Sequence, residues 1–200
     1  MVLSVNDIPV VALELKNQLT GQDCACAINQ YKNDRSSKEF AFRPNHRFLV
    51  YFAVDLYEVW MTTQLADGST RFMPFNQGSN GAGQSGGAGN PANPNGYVTS
   101  YLWEEVLQRD SLLDLIQRFI SNVKEKETEE KNGVVKTITK EKMLFPRYHQ
   151  YDVVRKVLAD VKQNGPGKNY LIQHSAGSGK SNSIAWIAYR LASVHDDNDN

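Results

Sequence analysis

Cysteine is nearly missing from this sequence: Cys24 and Cys26 are the whole complement among 200 residues. They stand one residue apart with no second pair, which excludes a disulfide framework and fits a reducing compartment. Net charge is missing too, with 22 Lys and Arg against 22 Asp and Glu. A neutral total gives no global pull on a polyanion, although a local basic groove can hide inside it. No apolar run is long enough to span a bilayer, and no charged stretch followed by an apolar one opens the chain as a leader would. These absences lead to the expectation of a soluble cytoplasmic protein with no membrane partner. What is present, 40% apolar residues, is enough for a real core in one large domain or two small ones. No internal repeat is visible.

The chain reads as two structured blocks. In "MVLSVNDIPVVALELK" two β-branched runs surround turn chemistry at Asn6 and Asp7, which predicts a hairpin. "QDCACAINQYKNDR" has apolar residues at roughly helical spacing and ends in Asp34 and Arg35. "RFLVYFAVD" and "EVWMTTQL" read as strands. Residues 76–96 are Gly, Asn, Pro, Gln and Ser with little apolar material, so a mobile loop is expected there. "YLWEEVLQRDSLLDLIQRFISNV" predicts a short and a longer amphipathic helix, capped by Asp110 or Ser111. "KEKETEEKNGVVKTITKEK" reads as a charged connector, placing a domain boundary near residue 140. Beyond it, "PRYHQYDVVRKVLADVKQ" is a helix opened by Pro146, with Val153, Val154, Val157, Leu158 and Val161 on a buried face.

The stretch from Tyr170 to Leu191 reads as strand, phosphate-binding loop and helix. In "HSAGSGKS", Gly177 and Gly179 lack a Cβ, so the backbone can curl and aim N–H groups at phosphate oxygens. The following helix points its positive end at the same place. Ser175, Ala176, Gly177, Ser178, Gly179, Lys180 and Ser181 would form the cradle. Lys180 would reach the β and γ phosphates, and the Ser181 hydroxyl would sit on Mg²⁺. The first Gly of the strict pattern is His174 here, a departure that helicase-type motors commonly tolerate. A chance Gly-rich turn is the competing reading, and the flanking "KNYLIQH" and "SNSIAWIAYRL" weigh against it. Upstream, Gln150 carries an amide that can pair a donor and an acceptor with adenine; a solvated helix position is the plainer alternative.

In "VVALELK", Glu14 and Lys16 lie two apart on a strand and so share a face. A Glu-x-Lys pair is the core of metal-dependent nucleases, with the carboxylate on Mg²⁺ and the lysine near the attacking water. A bare tripeptide reads more plainly as a surface ion pair. Such nucleases need a second acid on the neighbouring strand. With Asn6 and Asp7 as the turn, Glu14 faces a position at or just before Met1, and Asp7 belongs to the turn. Gln30 and Tyr31 are candidates for DNA or water contacts, or for packing on the sheet. Nothing near Cys24 and Cys26 completes a metal site.

The segments "NDIPVVALELKN", "YLWEEVLQRDSLLDLIQRF", "LFPRYHQYDVVRKVLADV" and "NYLIQHSAGSGKSNSIAWIAYRLASVH" closely resemble the restriction (R) subunit of type I restriction–modification enzymes. The resemblance implies an α/β fold class. A PD-(D/E)xK restriction-endonuclease-like domain over residues 1–140 would be followed, over 141–200, by the first strand–P-loop–helix unit of a RecA-like, superfamily 2 helicase domain. It implies Glu14 and Lys16 as nuclease residues, Gln150 as an adenine contact and Gly177, Gly179, Lys180 and Ser181 as motor motif I. It implies ATP and Mg²⁺ as cofactors, and as partners double-stranded DNA and the specificity and modification (methyltransferase) subunits. The family's leading Asp would fall just before Met1. A Q-x-x-x-Y element is altered, with Ala27 four before Tyr31. The chain is therefore expected to be a segment of a longer nuclease–translocase that is inactive alone. The alternative is a truncated, non-catalytic remnant that binds DNA or subunits. The final helix is expected to expose Ile184, Trp186, Ile187 and Leu191.

Overall fold

The computed structural model describes residues 1–131 and 134–194. It is a mixed α/β protein built on one five-stranded sheet, and the expected hairpin opens it. Strand β1 (Val2–Val5) pairs antiparallel with β2 (Ile8–Leu15). Asn6 and Asp7 take φ of 49° and 63° between them, the left-handed pair that a two-residue hairpin turn requires and that Asn and Asp tolerate. The register is Val5↔Ile8 and Ser4↔Pro9, then shifts to Leu3↔Val11 and Val2↔Ala12. Val10 is the extra residue of this bulge.

Helix α1 (Cys24–Asn33) crosses from β2 to β3 (Val50–Val54), which runs parallel to β2. Asp23 caps α1 by accepting from Cys26 N at 3.0 Å. Strands β4 (Val59–Thr62) and β5 (Met73–Pro74) complete the order β1-β2-β3-β4-β5. The two faces follow strand alternation. Val11, Leu13, Val50, Phe52 and Val54 point into the main core, whereas Ala12 and Tyr51 join Tyr31 of α1, Phe48 and Leu65 in a smaller one. All five residues of β3 are buried, as a central strand covered on both faces demands.

The main core is closed by a π-helical turn (Leu102–Val106), α2 (Arg109–Arg118) and α3 (Tyr148–Asn164). The cap of α2 is Gln108, which accepts from Asp110 N at 3.1 Å. It is neither Asp110 nor Ser111, which lie inside the first turn with the Ser111 hydroxyl turned to Gln108 Nε2 and Arg155. Helix α3 starts at Tyr148 with Arg147 as cap, so Pro146 precedes the helix instead of opening it. Val154, Val157 and Leu158 are buried on the expected face, with Val153 and Val161 half-buried.

The charged connector is corrected. Ser121–Lys131 (β6) and Val134–Leu144 (β7) form an antiparallel ribbon. Opposite charges face each other at Lys124↔Glu141 and Glu125↔Lys140, which stabilises cross-strand pairing. The helix expected to run through "FISNV" stops at Arg118 because Ser121 already belongs to β6. The boundary expected near residue 140 falls inside β7. Phe145, Tyr148, Tyr151 and Trp186 belong to the same core cluster as Phe52 and Phe75.

Residues 76–96 form neither helix nor strand. They are tied by polar contacts: Gly78 N to Gly89 O at 2.8 Å, Gln77 N to Asn90 Oδ1 at 2.9 Å and Asn90 Nδ2 to Tyr57 O at 2.9 Å. Gln77 Nε2 and Lys156 Nζ bind the segment to α3, through Tyr148 Oη at 2.9 Å and Ala82 O at 3.2 Å.

The strand expected before the phosphate loop is not formed. Residues 168–174 carry no ladder pairing, and Leu171 is 95% exposed. Among the described residues no strand lies beside them, and an extended segment without a partner is not a strand. Helix α4 (Lys180–Leu191) follows. Its apolar face is covered better than expected. Trp186 is buried and donates from Nε1 to Phe119 O at 2.9 Å, while Ile187 and Leu191 pack on the main core. Ile184 is exposed as expected. The expected motor segment is described to residue 194; residues 195–200 lie outside the described residues.

Candidate functional site

Two clusters of polar side chains stand at loop edges of this scaffold. The first sits where β2 ends. Lys16 N extends the ladder by donating to Val54 O at 2.8 Å, so Glu14 and Lys16 share the α1 face. The last turn of α1 and the residues after it reach the same place. Gln30 Oε1 accepts from Lys16 Nζ at 2.7 Å. Arg35 donates to Glu14 Oε1 from Nη2 at 2.9 Å and from Nε at 3.2 Å. The pair is part-buried, with the Arg35 side chain 35% and the Glu14 side chain 18% exposed. Arg35 is the member that sequence reasoning missed. It lies 21 residues from Glu14, and no local spacing announces that contact.

Tyr31 stands beside this cluster but belongs to the core. It is 1% exposed and donates from its hydroxyl to Phe52 O at 3.3 Å. Burial pushes its phenol pKa upward, with Glu14 adding to the shift. Cys24 is equally enclosed. Its N–H binds Asp55 Oδ2 at 2.9 Å and its thiol donates to Glu58 O at 3.2 Å. Burial and the nearby acids raise the thiol pKa and leave it unreactive. Both cysteines are free.

Magnesium is tested by the donor set. Met1 and Leu13 exchange backbone hydrogen bonds of 2.7 and 2.8 Å, so the position opposite Glu14 lies before Met1. Among the described residues no group of three His, Cys, Asp or Glu could hold a metal ion. One carboxylate, already bonded to Arg35, does not make a Mg²⁺ site.

The second cluster is the Gly-rich loop. Gly177 and Gly179 adopt φ of 70° and 83°, and Gly179 caps the twelve-residue α4. Ser175, Ala176, Gly177, Lys180 and Ser181 are exposed, and Ser178 is buried with its hydroxyl unpartnered. Lys180 Nζ folds back onto Ser175 O at 3.0 Å and His174 O at 3.3 Å. The curled backbone, the helix start and the lysine fit a phosphate group.

Helix α3 meets this loop from behind. The 3% exposed Gln150 accepts from Arg147 N at 2.9 Å and donates from Nε2 to Gly179 O at 2.8 Å. Both ends of its amide are bonded to backbone. His149 Nε2 donates to Ser178 O at 3.1 Å, and its ring meets that of His174 edge to face at 4.7 Å. Burial lowers the pKa of both histidines, and Lys180 adds to the effect at His174. The histidine pair was not foreseen; His149 stood beside Gln150 in the same helix opening.

The sheet with its α1 crossover, and the Glu14–Lys16 cluster at its rim, therefore define a mixed α/β protein with a polar edge site. Residues 1–70 match the family model described as the type I restriction enzyme R protein N terminus. The resemblance to R subunits is thus shown over the stretch holding β1 to β4, Glu14, Lys16, Gln30 and Arg35. No curated protein and no solved structure matches the chain. No described helix is long and apolar enough to cross a membrane.

Proposed function

We propose that this chain is the nuclease region and motor entry of a type I restriction enzyme R subunit. In this reading residues 1–140 are a PD-(D/E)xK-type endonuclease domain and 141–200 begin the helicase-like ATPase domain. The whole protein cuts duplex DNA with Mg²⁺ while ATP drives translocation, in complex with specificity and modification subunits in the cytoplasm. The observation that carries the reading is the convergence of Glu14, Lys16, Gln30 and Arg35 on one rim inside the family-matched stretch. Glu14 supplies one acid, and cleavage needs a second opposite it. Lys16, held by Gln30, is the cation beside the scissile phosphate. At the Gly-rich loop ATP would bring the phosphates; Ser175 to Lys180 hold them, and Ser181 offers its hydroxyl to the accompanying Mg²⁺.

The reading is tested by extending the hairpin with one Asp ahead of Met1. Isothermal titration with Mn²⁺ should then show one site that Glu14→Gln removes. Absence of binding in the extended chain counts against the nuclease assignment. ATP should bind to the chain without turnover, and robust hydrolysis lost in Lys180→Ala would overturn the motor-entry assignment. A second reading, a non-catalytic DNA- or subunit-binding remnant, draws on the engagement of Glu14 by Arg35 and the lack of a three-ligand metal group among the described residues. Mn²⁺ silence together with intact DNA binding selects it.

A further inference from the structure

A trough runs between α2, α3 and α4, away from both clusters. Two adjoining cavities form it, of about 270 and 260 Å³, sharing Leu158, Lys162 and Arg190 in their walls. Arg155, Leu158, Ala159 and Lys162 of α3 all line it, which is the i, i+3, i+4, i+7 stripe of one helical face. Arg155 and Lys162 thus stand roughly 10 Å apart along the axis.

The charges along the trough are uneven. The cavity nearer the C-terminal end of α4 is walled by Arg118, Lys162, Arg190, Ser193 and two aliphatic residues, with no carboxylate among them. Arg190 is 9% exposed and held rigidly: Nη1 and Nη2 donate to the two oxygens of Asp114, both at 2.8 Å. Its Nε is buried and unpartnered. Arg118 has only a 3.9 Å approach to Asp114, and Lys162 has no partner among the described residues. In the other cavity Arg155 binds the Ser111 and Tyr151 hydroxyls, and Asp110 and Asp114 share the wall. Asp114 is already committed to Arg190.

We propose that this trough is a binding site for paired phosphate groups, as found in a nucleic-acid backbone or a free polyphosphate. One group would lie between Arg118 and Lys162, and the next further along α3 toward Arg155. The unpaired Lys162, Arg118 held only by its 3.9 Å approach to Asp114, and the lack of a carboxylate in the wall at one end select an oxyanion over a cation or a neutral ligand. Aliphatic Leu158 and Val194 form the floor and wall against which sugar or linker atoms can rest. The site is independent of the nuclease and motor assignments.

The test compares the full chain with the double variant Arg118→Ala, Lys162→Ala, both exposed positions. Each is also made in a Lys180→Ala background, so that the Gly-rich loop contributes nothing. Circular dichroism confirms the fold. Binding of a fluorescein-labelled DNA duplex is followed by anisotropy against salt, and pyrophosphate binding by calorimetry. If a nucleic-acid backbone is the source, the double variant weakens duplex binding about ten-fold at low salt. The slope of log K on log salt then falls by about 2 for two lost contacts. If a free polyphosphate is the source, pyrophosphate binding falls while the duplex slope is unchanged. Either result supports the site. Unchanged binding of both probes in the folded double variant overturns it.

Discussion

Gln150 and Gly179 lie back to back: the glutamine amide donates to the glycine carbonyl at 2.8 Å, and a Cβ placed on residue 179 would stand 2.5 Å from Gln150 Nε2. Glycine is required there twice over, for its φ of 83° and for the space. Gly179→Ala should therefore cost about 2 kcal/mol locally, the sum of left-handed strain and a displaced buried amide. Gly177→Ala, with φ of 70° but open space around it, should cost only about 1 kcal/mol. Hydrogen exchange at Asn182 and Ser183, whose N–H groups bond to Gly179 O, reads the difference. Equal protection in both variants would contradict it.

Gln150→Glu keeps an acceptor for Arg147 N but faces the Gly179 carbonyl with a carboxylate oxygen. Gln150→Ala removes both bonds and should lower stability by about 1–3 kcal/mol. Glutamate should be the worse of the two at neutral pH and recover on acidification, when it can donate again. Urea unfolding at two pH values settles the order.

The Glu14–Arg35 pair is part-exposed at the rim of the sheet, so its removal should barely touch the fold. Arg35→Ala should shift unfolding by less than about 1 kcal/mol. Tyr31→Ala, on the same side of the sheet, should cost about 3–5 kcal/mol. A large loss in Arg35→Ala would show that the rim cluster is structural instead of available for chemistry.

The paired histidines give the Gly-rich loop a pH dependence. His149 faces His174, Arg147 and the Ser178 carbonyl, and His174 faces Lys180. Both pKa values lie below the ordinary 6.5. The unfolded chain therefore takes up protons first as pH falls. Their contribution to stability is complete above that value and declines as pH drops toward the folded-state values. Cleavage by a protease at residues 174–180 should accelerate between about pH 7.5 and about pH 5.5, and a His149→Phe, His174→Phe double variant should flatten the trend. An unaltered slope in that variant would remove the histidines from the account.

The hairpin and sheet core were legible because their physics is local. Asn6-Asp7 supplies positive φ cheaply, and β3 is apolar throughout. Helix α3 announced itself by a 3.6-residue period. The β6–β7 ribbon hid behind its Lys and Glu content, yet the β-branched Val134, Val135, Thr137, Ile138 and Thr139 were strand chemistry in plain view. The Gln108 cap escaped because glutamine seldom takes that place. The strand expected before the Gly-rich loop failed for the opposite reason: its composition suits a strand, but pairing is a property of a neighbour. Arg35 at Glu14 and Gln150 at Gly179 are long-range meetings, and no window of sequence contains both partners.

The bulge at Val10 sets the phase of everything upstream. Directly opposed residues on neighbouring strands project to one face, and each added residue reverses the face. With Met1 opposite Leu13, a residue spliced ahead of Met1 lands opposite Glu14 and beside its carboxylate. Were Val10 not extra, that same residue would stand opposite Leu13 and look into the main core. A single inserted backbone unit thus acts as a parity bit, deciding whether an incoming acid meets Glu14 or is buried among hydrocarbons.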